Sequence, residues 1–370
     1  MKRGIDMTGI FSEADDATKA SYEKYLRAVS SISYLFSEST TPYLDYRIAE
    51  NLFCKCFGAD NLSRSCIAVD ARIGKVGIGI KTFVDTPYQK IAEFDKKRSY
   101  MDTGDTSEDA YRVSELRNER LDFSRDAYAI DDFIYHYIIR RERSLSVCES
   151  PMDYVDVDSI EVTRENDKGF DFTDGKNLYR FNRAKSTMFE FFDLVHPIST
   201  FDVGFIEDPI DAVLKLYSGG LFVDTDIHEE TLILPLFSTR GHIHVPEKSG
   251  LNQWNAAGRP RDFDEIYIPY NKEYRLIDPD FFPARDTPFD LELPDGKVIS
   301  AKVCQDDGKA IMSNPNKDLG KWLLRDVLHL KNGELVTIDM LDDLGVNAVM
   351  FTKHSDGTYS IDFTNLEYGL

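Results

Sequence analysis

Between Ser249 and Arg261 the chain runs Ser-Gly-Leu-Asn-Gln-Trp-Asn-Ala-Ala-Gly-Arg-Pro-Arg. Asn252, Gln253, Trp254, Asn255, Arg259 and Arg261 fall in one stretch whose only core-forming residues are Leu251 and two alanines. Such a segment is poorly made for burial. Its side chains match base edges, since arginine pairs bidentately with guanine, and asparagine or glutamine with adenine. Gly250 and Gly258 free the backbone to approach a partner. Polar, glycine-containing loops that bind nothing are also common, so composition alone leaves both readings open. A second window, 312–325, repeats the pattern with Asn314, Asn316, Lys317, Lys321 and Arg325 against one acid, Asp318.

The first half holds a different chemistry. Asp70 ends the apolar run Ser65–Ala71, a turn follows over 72–75, and Lys81 lies inside the strand-like run Val76–Phe83. Upstream, Glu50 sits in a helical stretch, 43–57, that opens after Pro42 and ends at Gly58. Leu44, Ile48 and Leu52 recur at four-residue spacing and predict its buried stripe, leaving Glu50 off that stripe. Carboxylates from a helix and a strand hold Mg²⁺ through oxygen, and a neighbouring lysine positions the attacking water or offsets phosphate charge. The order of these parts is similar to that of PD-(D/E)XK nucleases, a resemblance that implies Asp70 and Glu50 as metal ligands and Lys81 as the third catalytic group. The competing account makes Asp70 a strand-end cap and Lys81 a solvated strand residue.

Two resemblances bear on these readings. The segment 249–261, with Phe263-Asp-Glu-Ile-Tyr-Ile-Pro269, Phe281-Phe-Pro-Ala-Arg-Asp286 and Phe289-Asp-Leu-Glu-Leu-Pro-Asp-Gly-Lys297, resembles the B3-like DNA-recognition domain of NgoFVII-type restriction endonucleases over about residues 220 to 365. That resemblance implies a β-barrel gripping the major groove of double-stranded DNA with two arms. The leading base-contact candidates are then Asn252, Gln253, Asn255, Arg259, Arg261 and Asn314, with Asn316 also expected to bind DNA and Trp254 to pack under the arm or against a thymine methyl or sugar. Lys248, Ser249, Lys317 and Lys321 lie nearer the backbone. The order helix, strand ending in Asp70, turn, strand bearing Lys81 is similar to PD-(D/E)XK nucleases. The pattern is broken two residues before Lys81, where Gly79 replaces the usual acid. Glu50 is the natural substitute and Glu93 the second choice. A companion DNA methyltransferase is implied with the restriction reading, and cutting both strands calls for a homodimer or two sequential nicks.

NgoFVII-type relatives more often carry a phospholipase D-like nuclease, which needs His-x-Lys with an Asp five places beyond the Lys. Only His329-Leu-Lys331 has the first part, with Val336 where the Asp should be. Gly74–Gly79 is no dinucleotide-binding loop, because its glycines lie in a turn and a strand and not between strand and helix. Gly241-His-Ile-His244 offers two histidines on one strand face without a third ligand nearby.

A chain of 370 residues with 42% hydrophobic and 12% aromatic content is ample for two cores. No apolar run is long enough to span a bilayer, and no signal-peptide core follows Met1, so a cytoplasmic location is expected. Five cysteines without CxxC spacing read as reduced, mostly buried thiols. The net charge of −21 opposes a broad basic face, and residues 221 to 370 carry 15 Lys and Arg against 26 Asp and Glu. Any DNA footprint must be local, and an acidic remainder would suppress non-specific binding.

Helices are expected over 15–36, 107–128 and 205–220, strands over 133–139 and 145–148, and a basic island over 176–188 that suits phosphate contacts or a strand-to-helix junction. Beyond 220, Pro294-Asp-Gly296, Lys331-Asn-Gly333 and Ser355-Asp-Gly357 punctuate strand-like runs. The expected architecture is an α/β (α+β) PD-(D/E)XK-like nuclease domain over 1–215 and an all-β B3-like pseudobarrel over 216–370. Two rivals are a DNA-binding protein with a decayed nuclease, and a β-barrel that binds carbohydrate or peptide.

Overall fold

A computed structural model describes residues 9–63, 67–94, 103–218, 230–256 and 261–368. Arg259 and Gly258 lie outside the described residues. The chain forms two compact units. The first gathers residues up to Asn118 and those from Ile130 to the end of the fifth helix; the second gathers Glu119–Ala129 and the residues from 230 onward. A cut between 215 and 216 therefore misassigns one segment, because the second half of a long helix packs in the later unit.

The first unit opens with α1 (Ile10–Glu13), α2 (Asp16–Ser30) and α3 (Tyr46–Phe57). Asp15 caps α2 by accepting from the Thr18 N–H, and Asp45 caps α3 by accepting from the Arg47 N–H. That cap starts α3 at Tyr46 and not at Tyr43. Gly58 closes it at φ 65°, a left-handed conformation that suits glycine. The single helix expected over 15–36 breaks after Ser30 into a short 3-10 turn, Ser33–Leu35. In α3 the fully buried positions are Ala49, Glu50, Phe53 and Cys54, while Ile48 and Leu52 are only partly buried. The stripe thus lies one residue further on than predicted and carries Glu50 inward.

Strands β1 (Asp60–Asn61), β2 (Ala71–Ile73), β3 (Val76–Val84) and β4 (Tyr88–Glu93) precede the long α4 (Thr106–Tyr128). After it come β5 (Asp132–Arg141), β6 (Ser144–Pro151), β7 (Glu161–Asn166), β8 (Gly169–Thr173), β9 (Leu178–Asn182), β10 (Thr187–Phe191), β11 (Ser199–Asp202) and α5 (Pro209–Ser218). One sheet has the order β1-β2-β3-β5-β6-β11, another β4-β10-β9-β8-β7. β1, β2 and β3 form an antiparallel meander, and α4 crosses over to bring β5 parallel to β3.

Ile78 and Ile80 of β3 pack with Ile134 and Ile138 of β5 against Tyr22, Ala49 and Phe53 of the helices. Each such side chain taken out of water contributes about 1.5–3 kcal/mol. On the second sheet Phe170, Phe172, Phe181 and Met188 pack with Ala110 and Val113 of α4.

The expected basic island is the β9–β10 hairpin, not a strand-to-helix junction. Three of its cations are engaged: Lys176 pairs with Asp153, Arg180 with Asp171, and Arg183 with the buried Asp109, while Lys185 is exposed.

The second unit is dominated by one sheet of order β12-β17-β18-β14-β15-β16-β13. Its strands and helices are β12 (Glu230–Pro235), β13 (Ile268–Pro269), α6 (Lys272–Ile277), β14 (Pro288–Glu292), β15 (Val298–Cys304), β16 (Ala310–Ser313), α7 (Asp318–Gly320), α8 (Ile338–Leu344), β17 (Ala348–Lys353) and β18 (Tyr359–Thr364). The sheet curls into a nearly closed, barrel-like wall. Pro294-Asp-Gly296 and Ser355-Asp-Gly357 turn the β14–β15 and β17–β18 hairpins as predicted. Trp322 is buried and stacks on Phe363 with ring centroids 5.5 Å apart. The end of α4 joins this unit through Phe123 against Phe363 and Arg120 Nε donating to the Asp343 carbonyl at 3.1 Å.

No helix among the described residues is long and apolar enough to cross a membrane. Cys54, Cys56, Cys148 and Cys304 form no disulfide.

Candidate nucleic-acid interface and carboxylate pair

In the second unit the two Asn- and Lys-bearing windows face one concavity of about 360 Å³. Lys248, Ser249, Gln253 and Arg261 come from the first window, and Asn316 from the second. The walls are completed by Ala256, Glu265, Lys302 and Gln305, and Tyr267, Cys304 and Met312 add apolar surface. Three cations thus surround a single carboxylate inside a strongly acidic chain. Sequence reading missed Glu265, Lys302 and Gln305, because nothing in spacing shows that the end of β15 and the loop before β13 border the windows.

The windows are braced together. Lys317 Nζ meets Asp262 at 2.6 Å, and Arg325 Nε meets Asp264 at 2.7 Å while its Nη2 donates to the Phe263 carbonyl at 3.3 Å. A Cβ on Gly320 would stand 1.9 Å from the Asp264 carbonyl oxygen, so the backbones touch there. The Lys317 ammonium, together with the Asp264 N–H, holds the Asp262 carboxyl below its ordinary range.

Individual expectations fare differently. Asn252 is 1% exposed; its Nδ2 donates to the Val336 carbonyl at 2.9 Å and its Oδ1 accepts from the Val336 N–H at 3.0 Å. Both ends of that amide clamp one loop to another, which corrects the base-contact assignment. Gln253 is also buried, at 2%, with Nε2 directed at the Glu265 carbonyl at 3.4 Å, yet it borders the concavity. Trp254 packs on Phe263 with centroids 5.2 Å apart. Asn255, Asn314 and Lys321 are exposed and line no part of the concavity. Arg261 Nη1 meets Glu265 Oε1 at 2.8 Å. Of the two histidines expected on one strand face, His242 stacks on His244 with centroids 4.4 Å apart, joined to Ser238 by an isolated bridge.

A second, larger groove of about 1430 Å³ adjoins this concavity, sharing Ser249 and Tyr267 with it. Arg240, His244, Lys272 and Lys309 line it with Glu273 and Glu367.

In the first unit the structure brings Glu50 and Asp70 together. Glu50 is 3% exposed, and Arg47 Nη1 contacts its Oε2 at 3.1 Å. Burial raises the Glu50 carboxyl above the ordinary carboxylate range, and the charge of Asp70 adds to the rise while Arg47 opposes it. Asp70 Oδ2 accepts from the Ile80 N–H at 2.7 Å, which fixes the carboxylate against β3.

Lys81 departs from the expected grouping. It shares the Gly79 face of β3, with Nζ 5.9 Å from the Tyr135 ring centroid, whereas α3 covers the Ile78 and Ile80 face. A Cβ on Gly79 would stand 2.4 Å from Met152 Cε and 3.0 Å from Tyr135, so that position is filled by neighbours. Glu93 lies on the five-stranded sheet, exposed and paired with Lys90 at 3.1 Å, and does not join the pair.

Among the described residues no three His, Cys, Asp or Glu side chains gather as a ligand set. Two carboxylates are nonetheless a fitting donor set for Mg²⁺, which commonly takes one or two from protein and the remainder from water and substrate phosphate. A buried Glu50 whose charge is opposed by Asp70 is the electrostatic condition a divalent cation relieves.

Residues 226–355 match the family model of the NgoFVII C-terminal B3-like DNA-binding domain, a span running from β12 through β17. The second unit therefore carries a DNA-binding domain of the restriction-enzyme type. No curated protein matches the chain.

Proposed function

We propose that the chain is a site-specific endodeoxyribonuclease of the type II restriction kind, whose second unit selects the site and whose first unit hydrolyses phosphodiesters with Mg²⁺. The observation that carries the reading is the convergence of both windows on one cation-lined concavity within the matched segment. For the nuclease, the support is topological. Helix α3 with Glu50, Asp70 just before β2, a turn, and β3 bearing Lys81 follow the order of parts that the PD-(D/E)XK resemblance implies.

Asp70 and Glu50 would hold the metal. When bound, Mg²⁺ would polarise the scissile phosphate and acidify a coordinated water. The Ile80 N–H orients the Asp70 carboxylate, and Arg47 favours the ionised form of Glu50. Lys81 would serve by reaching round the β3 edge that β2 leaves open beyond Ile78. Such an enzyme needs its host's sites masked, which implies a companion DNA methyltransferase, and it needs a homodimer or sequential nicks to cut both strands.

A specific observation favours a second reading. Gly79 is packed against Met152 and Tyr135, and Lys81 stands on the face opposite α3. A protein with those features could read DNA and no longer cut it. Supercoiled plasmid separates the two readings: with Mg²⁺ the enzyme converts it to linear product and Glu50→Gln does not, although both retain salt-sensitive binding. Binding without conversion by the unaltered chain would establish the second.

A further inference from the structure

We infer that Arg261 and Glu265 act as one unit that reads a single G·C base pair, with Glu265 accepting from the exocyclic amine of the cytosine. The inference rests on the DNA-reading proposal and names part of what that site selects.

Among the described residues, Glu265 is the only carboxylate on a concavity whose other charged lining is Lys248, Arg261 and Lys302. An acid there repels phosphate, so its presence needs a reason. Bracing Arg261 is one reason, and the 2.8 Å contact between Nη1 and Oε1 satisfies it. The contact uses one edge of each group. Among the described residues, Arg261 Nη2 and Glu265 Oε2 have no hydrogen-bond partner. Both side chains are less than one-fifth exposed, at 17% and 18%, and both border the concavity.

The two groups held in contact at 2.8 Å thus present a donor and an acceptor that the contact does not use. On the major-groove edge of a G·C pair, guanine O6 and cytosine N4 are hydrogen-bonded neighbours, one an acceptor and the other a donor. Arginine takes O6 and N7 of guanine, and a carboxylate takes N4 of cytosine. A side-chain donor and acceptor held in contact reproduce that edge in mirror order. Thymine O4 in place of cytosine N4 would set two acceptors face to face, and the buried carboxylate would lose its partner. Discrimination of roughly 10- to 100-fold at that position is expected for such a contact.

The test is selection of the full chain, in EDTA to prevent cleavage, from a randomised duplex pool. Glu265→Gln and Glu265→Ala are selected in parallel, with thermal melts to check folding. The unaltered chain should enrich a site containing at least one strict G·C pair. Glu265→Ala should relax one such position while its neighbours hold. Glu265→Gln, which keeps a partner for Arg261 but adds a donor, should tolerate thymine there. N4-methylcytosine at that position should weaken binding by the unaltered chain more than tenfold and by Glu265→Ala much less.

If both variants keep the original site and discrimination, Glu265 is a brace only and the inference is overturned. Equal loss at every position in both variants overturns it too. Failure of the unaltered chain to enrich any duplex would instead remove the DNA-reading proposal on which it rests.

Discussion

Glu190 of β10 is 7% exposed, and burial pushes its carboxyl up to about 7, with Arg117 and the Tyr135 hydroxyl opposing the shift. The folded chain then binds a proton that the unfolded chain releases between the ordinary carboxylate range and pH 7. Stability is therefore greatest at the acid end of that window and falls as pH rises through it, by about 3 kcal/mol. Denaturant titrations of Glu190→Gln should lose most of that slope; an unchanged slope would remove Glu190 as its source. This group was not legible in the sequence, because one acid in a β-hairpin gives no sign of what covers it. Asn252 failed for the same reason: its residue type suits adenine, but the fold uses both ends of its amide on Val336. Asp70 and Glu50 were expected together on the PD-(D/E)XK resemblance, and in the fold the charge of Asp70 acts on a Glu50 that is buried and not off the apolar stripe. The Lys81 side was not, since a one-position difference in strand phase exchanges sheet faces.

At the scale of elements, the two windows work only if their backbones stay in contact. Gly320 is the point of closest approach, with room for no side chain beside Asp264. Gly320→Ala should cost about 1–3 kcal/mol of stability in the second unit and weaken duplex binding disproportionately, because the overlap is with backbone. A melt and a titration with duplex would check both; an unperturbed protein would show that the windows move independently. The helices and hairpins were largely readable from caps and turns, Gly58 and Ser355-Asp-Gly357 among them. What could not be read was the bracing of Asp262 and Asp264 by Lys317 and Arg325, about sixty residues apart. In the fold those acids position the second window.

For the whole molecule, a net charge of −21 leaves only local footprints for a polyanion. Lys317 and Arg325 are engaged by acids, so the cations at the concavity without an ion pair among the described residues are Lys248 and Lys302, with Arg240, Lys272 and Lys309 along the adjoining groove. Five phosphate contacts predict that log affinity falls against log salt with a slope of about −4 to −5. A slope near zero would exclude backbone contacts, and one near −10 would require cations outside these two grooves. The central claim, that one chain both selects and cuts a DNA site, is tested most directly by digesting unmodified phage DNA. The purified protein is compared with Mg²⁺, with EDTA, and as Asp70→Ala. The account predicts discrete fragments that require both Mg²⁺ and Asp70. Intact DNA under every condition, or the same fragments from Asp70→Ala, would contradict it.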